Sequence, residues 1–355
     1  MSSTERNVPD HAGSTAVATR TPGWAAALEA STEQRVVDRL RTACEAGEHI
    51  VIAGHVAPDG DALGSVLALH LALRAAGART VPTIGEEPLA LPVPLDRLPG
   101  ADDLVAVPAL PPAEAVALLV TVDAASAGRL GAVTAYLDAG VETIVLDHHA
   151  RNEPFGALRL VAPEAAATVQ LVDRVLAALG LPLTRDLATC LYVGLVTDTG
   201  RFGFQATDQS AHELAGRLLA AGIDHPWWHQ ALYATRTAHE LALLGHGLAR
   251  LRLVPEVGLV HAHVTLEELT RCHDASLDGL VDLLRSADTA EVALALRPTR
   301  EGPWKGSLRS RGTTDVGRVA AALGGGGHRL AAGFTLDGSP EDITARVVTL
   351  LQQEG

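Results

Sequence analysis

Four short stretches bearing Asp and His each stand at the end of an apolar run, and that placement constrains this chain more than any other feature. They are His55-Val-Ala-Pro-Asp59-Gly-Asp61, Val122-Asp123, Asp147-His148-His149 and Thr197-Asp198-Thr199-Gly200. The first three follow runs that read as buried strands, and the fourth follows a run that reads as a buried helix. Carboxylates and imidazoles are unfavourable beside buried apolar segments unless something compensates them. A divalent cation is a common compensation. Hard carboxylates mixed with borderline imidazoles suit Mn²⁺, with Mg²⁺ or Zn²⁺ suited less well.

The runs alternate in type. Strand patterns at 49–54, 80–84, 117–122 and 142–146 are interleaved with helical patterns at 61–76 and 129–139, and a short strand is expected at 103–107. This predicts an α/β fold with a doubly wound, mostly parallel sheet. Sites in such sheets lie beyond the carboxyl ends of the strands, where His55, Asp123 and Asp147 fall. Helices are expected over 165–179, 184–197, 207–221 and 226–234. Past a helix at 237–250 the pattern changes to strands at 251–254, 259–265, 291–297, 304–311 and 332–336, with helices at 277–287 and from 315 and 340. We therefore expect a tail over 1–25, a first domain over 26–235, a linker helix over 236–250 and a second, smaller α/β domain over 251–355.

A length of 355 residues is enough for two cores of this kind, and a net charge of −14 argues against a general nucleic-acid coat protein or a partner of long nucleic acid. The polar start of the chain, Met1 to Gly23, lacks an apolar signal core and reads as disordered. Cys44, Cys190 and Cys272 are widely spaced with no C-x-x-C pair, which reads as reduced core thiols in a cytoplasmic protein. No apolar stretch reaches the length of a membrane span without Gly, Pro or charge.

Each motif has a plain structural reading beside its chemical one. One Asp before a helix is often an N-cap, but two Asp with an upstream His favour metal ligation. Taken alone, Asp123 at a strand end reads equally well as a helix cap, and Asp198 as part of an ordinary helix-to-loop turn. Asp147-His148-His149 is more specific: adjacent side chains point different ways, so one His can bind metal while the other faces a substrate. Gly324 to Gly327 followed by His328 leaves backbone amides open to close approach by an anion. This segment sits in a basic island, with six Arg and Lys305 between Arg297 and Arg329 against two acids, Glu301 and Asp315.

These stretches together resemble the DHH phosphoesterase family. The matching segments are HVAPDGDALGS (55–65), VDAAS (122–126), LDHHARN (146–152) and VTDTGRF (196–202), while SLRSRG (307–312) and GGGGHRLAAG (324–333) resemble the DHH-associated domain. The subgroup most resembled is the nano-RNase and pAp phosphatase type, with relatives that act on cyclic dinucleotides or their linear products. The resemblance implies two metal ions, normally Mn²⁺. His55, Asp59 and Asp123 would hold one, and Asp61, Asp123, His148 and Asp198 the other, with Asp123 bridging. It further implies that His149 contacts the scissile phosphate or protonates the leaving oxygen. Arg309, Gly325, Gly326, Gly327 and His328 would grip the far phosphate or terminal nucleotide. The implied substrates are short RNA and nucleotides such as 3′-phosphoadenosine 5′-phosphate, and family members of this size often form homodimers. The run Arg201-Phe-Gly-Phe departs from the family's more polar version. A non-catalytic nucleotide sensor is the rival from another class, and such a chain would be expected to lack at least one of the six ligands.

Overall fold

The computed structural model describes residues 30–354 apart from Asp274 and His328. The expected tail and the expected phosphate-gripping His328 thus lie outside the described residues. The chain forms two compact units, one up to Tyr233 and one from Ala234 onwards.

In the first unit, β1 (His49–Ala53), β2 (Arg79–Thr83), β3 (Leu118–Val122), β4 (Thr143–Asp147) and β5 (Leu158–Val161) make an all-parallel sheet in the order β2-β1-β3-β4-β5. The strand order reverses between β1 and β3, which makes the crevice beyond their carboxyl ends the natural place for a site. Residues of β1, β3 and β4 are buried almost without break. This is why they read as continuous Val/Ile/Leu runs rather than alternating ones. Both faces are covered: Ile50, Ile52, Val120 and Ile144 join one apolar cluster, and Val51, Leu119, Leu130 and Tyr136 another.

The helices include α1 (Ala30–Ala46), α2 (Gly60–Ala75), α3 (Thr134–Asp138), α4 (Thr168–Ala178), α5 (Arg185–Asp198) and α6 (Gln209–Ala220). α2 is apolar and buried around most of its circumference, as a helix enclosed by sheet and helices must be. It meets α5 backbone to backbone. A Cβ at Gly64 would lie 2.4 Å from the Cys190 carbonyl oxygen, and one at Gly60 only 2.3 Å from Thr197 Oγ1. Without side chains at these two glycines, the start of α2 reaches the end of α5.

Three local expectations need revision. No strand forms at 103–107; 3₁₀ turns at Ala101–Asp103 and Val107–Ala109 take its place, and Pro108 withdraws a ladder donor there. The helix over 129–139 is split into a 3₁₀ stretch, Ala127–Val133, and α3, with Gly131 at φ 55° between its turns. Strand β5 was not expected at all, because four residues are too few for a period to declare itself.

In the second unit, β6 (Arg252–Val254), β7 (Leu259–His263), β8 (Val292–Pro298), β9 (Trp304–Ser310), β10 (Gly326–Gly327) and β11 (Ala331–Leu336) form a mixed sheet ordered β10-β11-β9-β8-β7-β6. Its pairs are antiparallel except β7 with β8. On one side Val260, Ala262 and Ala293 cluster with Leu243, Leu244 and Leu280; on the other Leu259, Leu294, Leu308 and Phe334 cluster with Val319, Ile343 and Val347. The helix Ala238–Ala249, which supplies Leu243 and Leu244, thereby packs within the second unit. No helix among the described residues is long and apolar enough to cross a membrane.

Candidate metal centre

His55 lies two residues past the end of β1 and is 5% exposed. Its Nδ1 lies 2.9 Å from the Val56 carbonyl oxygen, and its Nε2 lies 3.8 Å from Asp59 Oδ2 and 3.7 Å from Asp123 Oδ2. Asp59 is placed for both roles read from the sequence. Its Oδ1 caps α2 by accepting from the N–H groups of Asp61 (3.0 Å) and Ala62 (3.1 Å), which leaves Oδ2 on the His55 side. Asp61 is fully buried and accepts from the backbone N–H groups of Thr168 (2.6 Å) and Val169 (3.0 Å), at the start of α4.

Asp123 leaves β3 with φ 56°, in the left-handed region. Asp tolerates this better than most residues, and such strain costs roughly 1–3 kcal/mol where it occurs. Its Oδ1 accepts from Thr168 Oγ1 (3.0 Å) and lies 3.6 Å from both His148 Nε2 and His149 Nδ1. The carboxylate therefore stands between His55 on one side and the two later histidines on the other. His148 Nδ1 donates to the Ala165 carbonyl (3.1 Å), turning Nε2 towards Asp198 (3.2 Å), Asp123 (3.6 Å) and Asp61 (4.0 Å). His149 Nδ1 is 2.7 Å from Asp147 Oδ1, Asn152 Nδ2 donates to the other Asp147 oxygen, and Arg159 donates to Asn152 (2.5 Å).

Donor atoms converge in three overlapping sets, each within 4.8 Å: His55, Asp59 and Asp123; Asp61, His148 and Asp198; and Asp123, His148 and His149. Among the described residues no Arg or Lys pairs with Asp59, Asp61, Asp123 or Asp198. The crowding is visible in their protonation. Burial, then the Asp123 charge, pushes Asp61 up to about 8. Burial, then Asp59, pushes Asp123 up to about 7, and burial, then Asp61, does the same to Asp198. Burial alone would lower His148, but Asp198, Asp123 and Asp61 outweigh it and hold it at about 9. Asp198 is also the last residue of α5, where the helix's own partial charge disfavours a carboxylate. Buried like charges without an Arg or Lys partner, and imidazoles whose second nitrogen is tied to a carbonyl, make a donor set that fits divalent cations.

Residues 49–195 match the DHH family, N-terminal domain, and residues 261–353 match the DHHA1 domain. The chain is 36% identical over 309 residues to the bifunctional oligoribonuclease and PAP phosphatase NrnA of Thermus thermophilus, covering 86% of this chain and 90% of that one. It belongs to the DHH family.

An exopolyphosphatase-related protein from Bacteroides fragilis shares 26% identity and superposes with a TM-score of 0.83 over 90% of this chain and 96% of that one. The exonuclease RecJ bound to manganese, at 20% identity and a TM-score of 0.53 over 92% of this chain and 95% of that one, shares the fold.

Within this DHH chain the first unit brings His55, Asp59, Asp61, Asp123, His148, His149 and Asp198 into one cluster. Reading the sequence missed Thr168, which ties Asp61 through its N–H and Asp123 through its hydroxyl. A Thr after Ala165-Ala166-Ala167 carries no signal of that duty. Asn152 was likewise missed, although it sits within the LDHHARN segment.

In the second unit, Arg309 lies on β9, its Nη1 donating to the Leu308 carbonyl (3.0 Å) and its Nε 3.8 Å from Asp282 Oδ1. Gly326 and Gly327 pair with Gly333 and Ala332, and Ala331 of the same strand pairs with Arg309. Two of the glycines are required by packing. A Cβ at Gly325 would lie 2.1 Å from the Gly333 carbonyl oxygen, and one at Gly327 (φ 141°) 2.6 Å from that of Ala331. At Gly326 a Cβ would meet nothing within 4 Å, so that glycine's surface is open.

Proposed function

We propose that this chain is a metal-dependent phosphoesterase that hydrolyses short oligoribonucleotides and 3′-phosphoadenosine 5′-phosphate to nucleoside monophosphates. The observation that carries the reading is the chain of three donor sets that overlap at Asp123 and at His148. In this reading His55, Asp59 and Asp123 hold one Mn²⁺, and Asp61, Asp123, His148 and Asp198 hold the other; Mg²⁺ is the substitute. Bound there, the two cations supply an acidified water and neutralise charge on the phosphoryl oxygens. The activity named for the Thermus thermophilus relative supports the substrate class.

The chain's own groups do the rest. Asp123 and Asp198 remain deprotonated as ligands once the cations replace their protons. Asp147 accepts from His149 Nδ1 and steadies the imidazolium form, whose Nε2–H gives its proton to the leaving oxygen as that oxygen's bond to phosphorus breaks, leaving the neutral ring with its proton on Nδ1. Asn152 and Arg159 hold Asp147 in turn. The second unit contributes Arg309, Gly325, Gly326, Gly327 and His328 to binding another phosphate of the substrate. That requirement favours short molecules over long strands. We place the enzyme in the cytoplasm, as a homodimer.

Purified protein with Mn²⁺ is expected to release AMP from 3′-phosphoadenosine 5′-phosphate and from a dinucleotide, and Asp123→Ala is expected to lose this activity. Full activity in that variant would defeat the reading. Parallel rates on a cyclic dinucleotide, its linear product and a short RNA rank the substrates.

A further inference from the structure

One guanidinium reaches the edge of the carboxylate cluster from the 3₁₀ stretch Ala127–Val133 that follows β3. Arg129 Nη2 lies 3.0 Å from His55 Nδ1. The backbone at this point is fixed. The Val56 N–H donates to the Arg129 carbonyl (2.8 Å), and the Arg129 N–H donates to the Ser126 carbonyl (3.1 Å). The side chain is not fixed in the same way: Arg129 is exposed and pairs with no carboxylate among the described residues.

The contact with His55 cannot survive in the state where His55 serves as a ligand. His55 Nδ1 also lies 2.9 Å from the Val56 carbonyl oxygen. A ring that offers the Nε2 lone pair to a cation carries its proton on Nδ1 and donates it to that carbonyl. Nδ1 then has no lone pair for Arg129, and two donors face each other. The guanidinium keeps its charge and its five N–H groups regardless. A charged, planar donor released at this edge is matched by an incoming oxyanion, and Arg is the side chain best shaped for phosphoryl oxygens.

We propose that Arg129 is a catalytic residue: its guanidinium leaves His55 Nδ1 for the non-bridging oxygens of the scissile phosphoryl group and neutralises the charge that builds on them. This rests on the phosphoesterase reading above. Arg129 makes and breaks no covalent bond; the water adds to phosphorus and the leaving oxygen departs as before.

The test compares wild type with Arg129→Ala and Arg129→Lys. Each is titrated calorimetrically with Mn²⁺, then with AMP on the Mn²⁺-loaded protein, and assayed for kcat and KM on 3′-phosphoadenosine 5′-phosphate. The expected result is unchanged Mn²⁺ affinity in all three, kcat lower by about 100-fold or more in Arg129→Ala, weaker AMP binding, and partial recovery in Arg129→Lys. Weakened Mn²⁺ affinity with kcat restored at saturating metal would show that Arg129 acts only through His55 and would overturn the proposal. Unchanged kcat and AMP affinity would overturn it too. If wild type cleaves none of the phosphoesters, the phosphoesterase reading falls, and the AMP titration alone decides whether Arg129 holds a phosphoryl group.

Discussion

Three carboxylates of the first unit's cluster, Asp61, Asp123 and Asp198, and two paired carboxylates of the second unit, Glu268 and Glu291, are shifted in opposite directions. In the second unit burial pushes Glu268 up, but Arg250 grips both its oxygens (2.7 and 2.9 Å) and the Thr265 N–H donates to it (2.9 Å), so it sits at about 2. Glu291 is likewise held below the usual range: the Thr313 and Thr314 N–H groups and the Thr313 and Ser310 hydroxyls outweigh its burial. Asp61, Asp123 and Asp198 in the first unit have backbone or hydroxyl donors at best and no Arg or Lys, and they sit at about 8, 7 and 7. A carboxylate built for structure arrives with its partner; one built for a cation waits for it. The contrast separates the two kinds of buried acid without reference to any relative.

The sharpest way to break this contrast is to remove one charge from the first cluster. Asp123→Asn keeps an acceptor for Thr168 Oγ1 but loses the shared anionic ligand. Turnover is expected to fall by about 1000-fold or more. The metal-free variant should nevertheless melt higher than metal-free wild type, because a buried like charge is gone; each kcal/mol gained raises Tm by about 2–4 °C. A variant that is both active and unaltered in melting would remove Asp123 from the centre of the site.

Thr168→Val tests the support rather than the ligand. The backbone N–H to Asp61 survives and only the hydroxyl bond to Asp123 is lost. Loss of such a supporting bond typically weakens metal affinity by about 10–100-fold. Mn²⁺ titration should show that loss, with kcat recovering at saturating Mn²⁺; an unchanged isotherm would mean that Thr168 is a packing residue only.

Glu268→Ala is the control in the other unit. It frees Arg250, opens the cap of the helix Leu266–Arg271, and leaves Thr265 without its reciprocal partner. Arg250 is 35% exposed, so screening reduces the pair's worth, and we expect a loss of about 1–2 kcal/mol in the second unit's stability. Mn²⁺ affinity should not change. A shift in that affinity as large as for Thr168→Val would erase the distinction between the two acids.

The comparison also explains what could be read without coordinates. The first sheet was legible because its strands are buried on both faces and so stand out as unbroken apolar runs, and its site because Asp or His stands at or within two residues of the ends of β1, β3 and β4, where such runs do not otherwise tolerate them. Strand β5 and the turns around Ala101–Asp103 were not, being too short or too Pro-rich to carry a period. Thr168 stayed hidden because its role depends on α4 meeting α2, a contact of distant segments with no local trace. Gly325 and Gly327 were noticed for an anion's sake, yet their missing side chains are needed first by the neighbouring strand.

The smallest and most diagnostic effect is the pH dependence of the metal-stripped protein. Asp61, Asp123 and Asp198 have folded-state values of about 8, 7 and 7, above the unfolded carboxylate value near 4. Between these limits the folded chain holds protons that the unfolded chain has released, so stability falls as pH rises. His148, raised to about 9, acts in the same sense from near 6.5 upwards. Asp59, lowered to about 2, acts oppositely but only below about pH 4, as does Glu268 at about 2. In the second unit burial holds His261 and His263 below the usual imidazole value, so between pH 5 and about 6.5 their contribution makes that unit more stable as pH rises, the opposite sign to the first unit's slope. Thermal melts after chelation should show the first unit's transition moving down between pH 5 and pH 8 while the second unit's holds or rises. Saturating Mn²⁺ should reverse the trend, because the cations bind the deprotonated ligands and their stabilisation grows as protons leave. A flat or rising first-unit transition in the stripped protein, or a melt indifferent to Mn²⁺ at pH 8, would mean that these acids are not waiting for a cation.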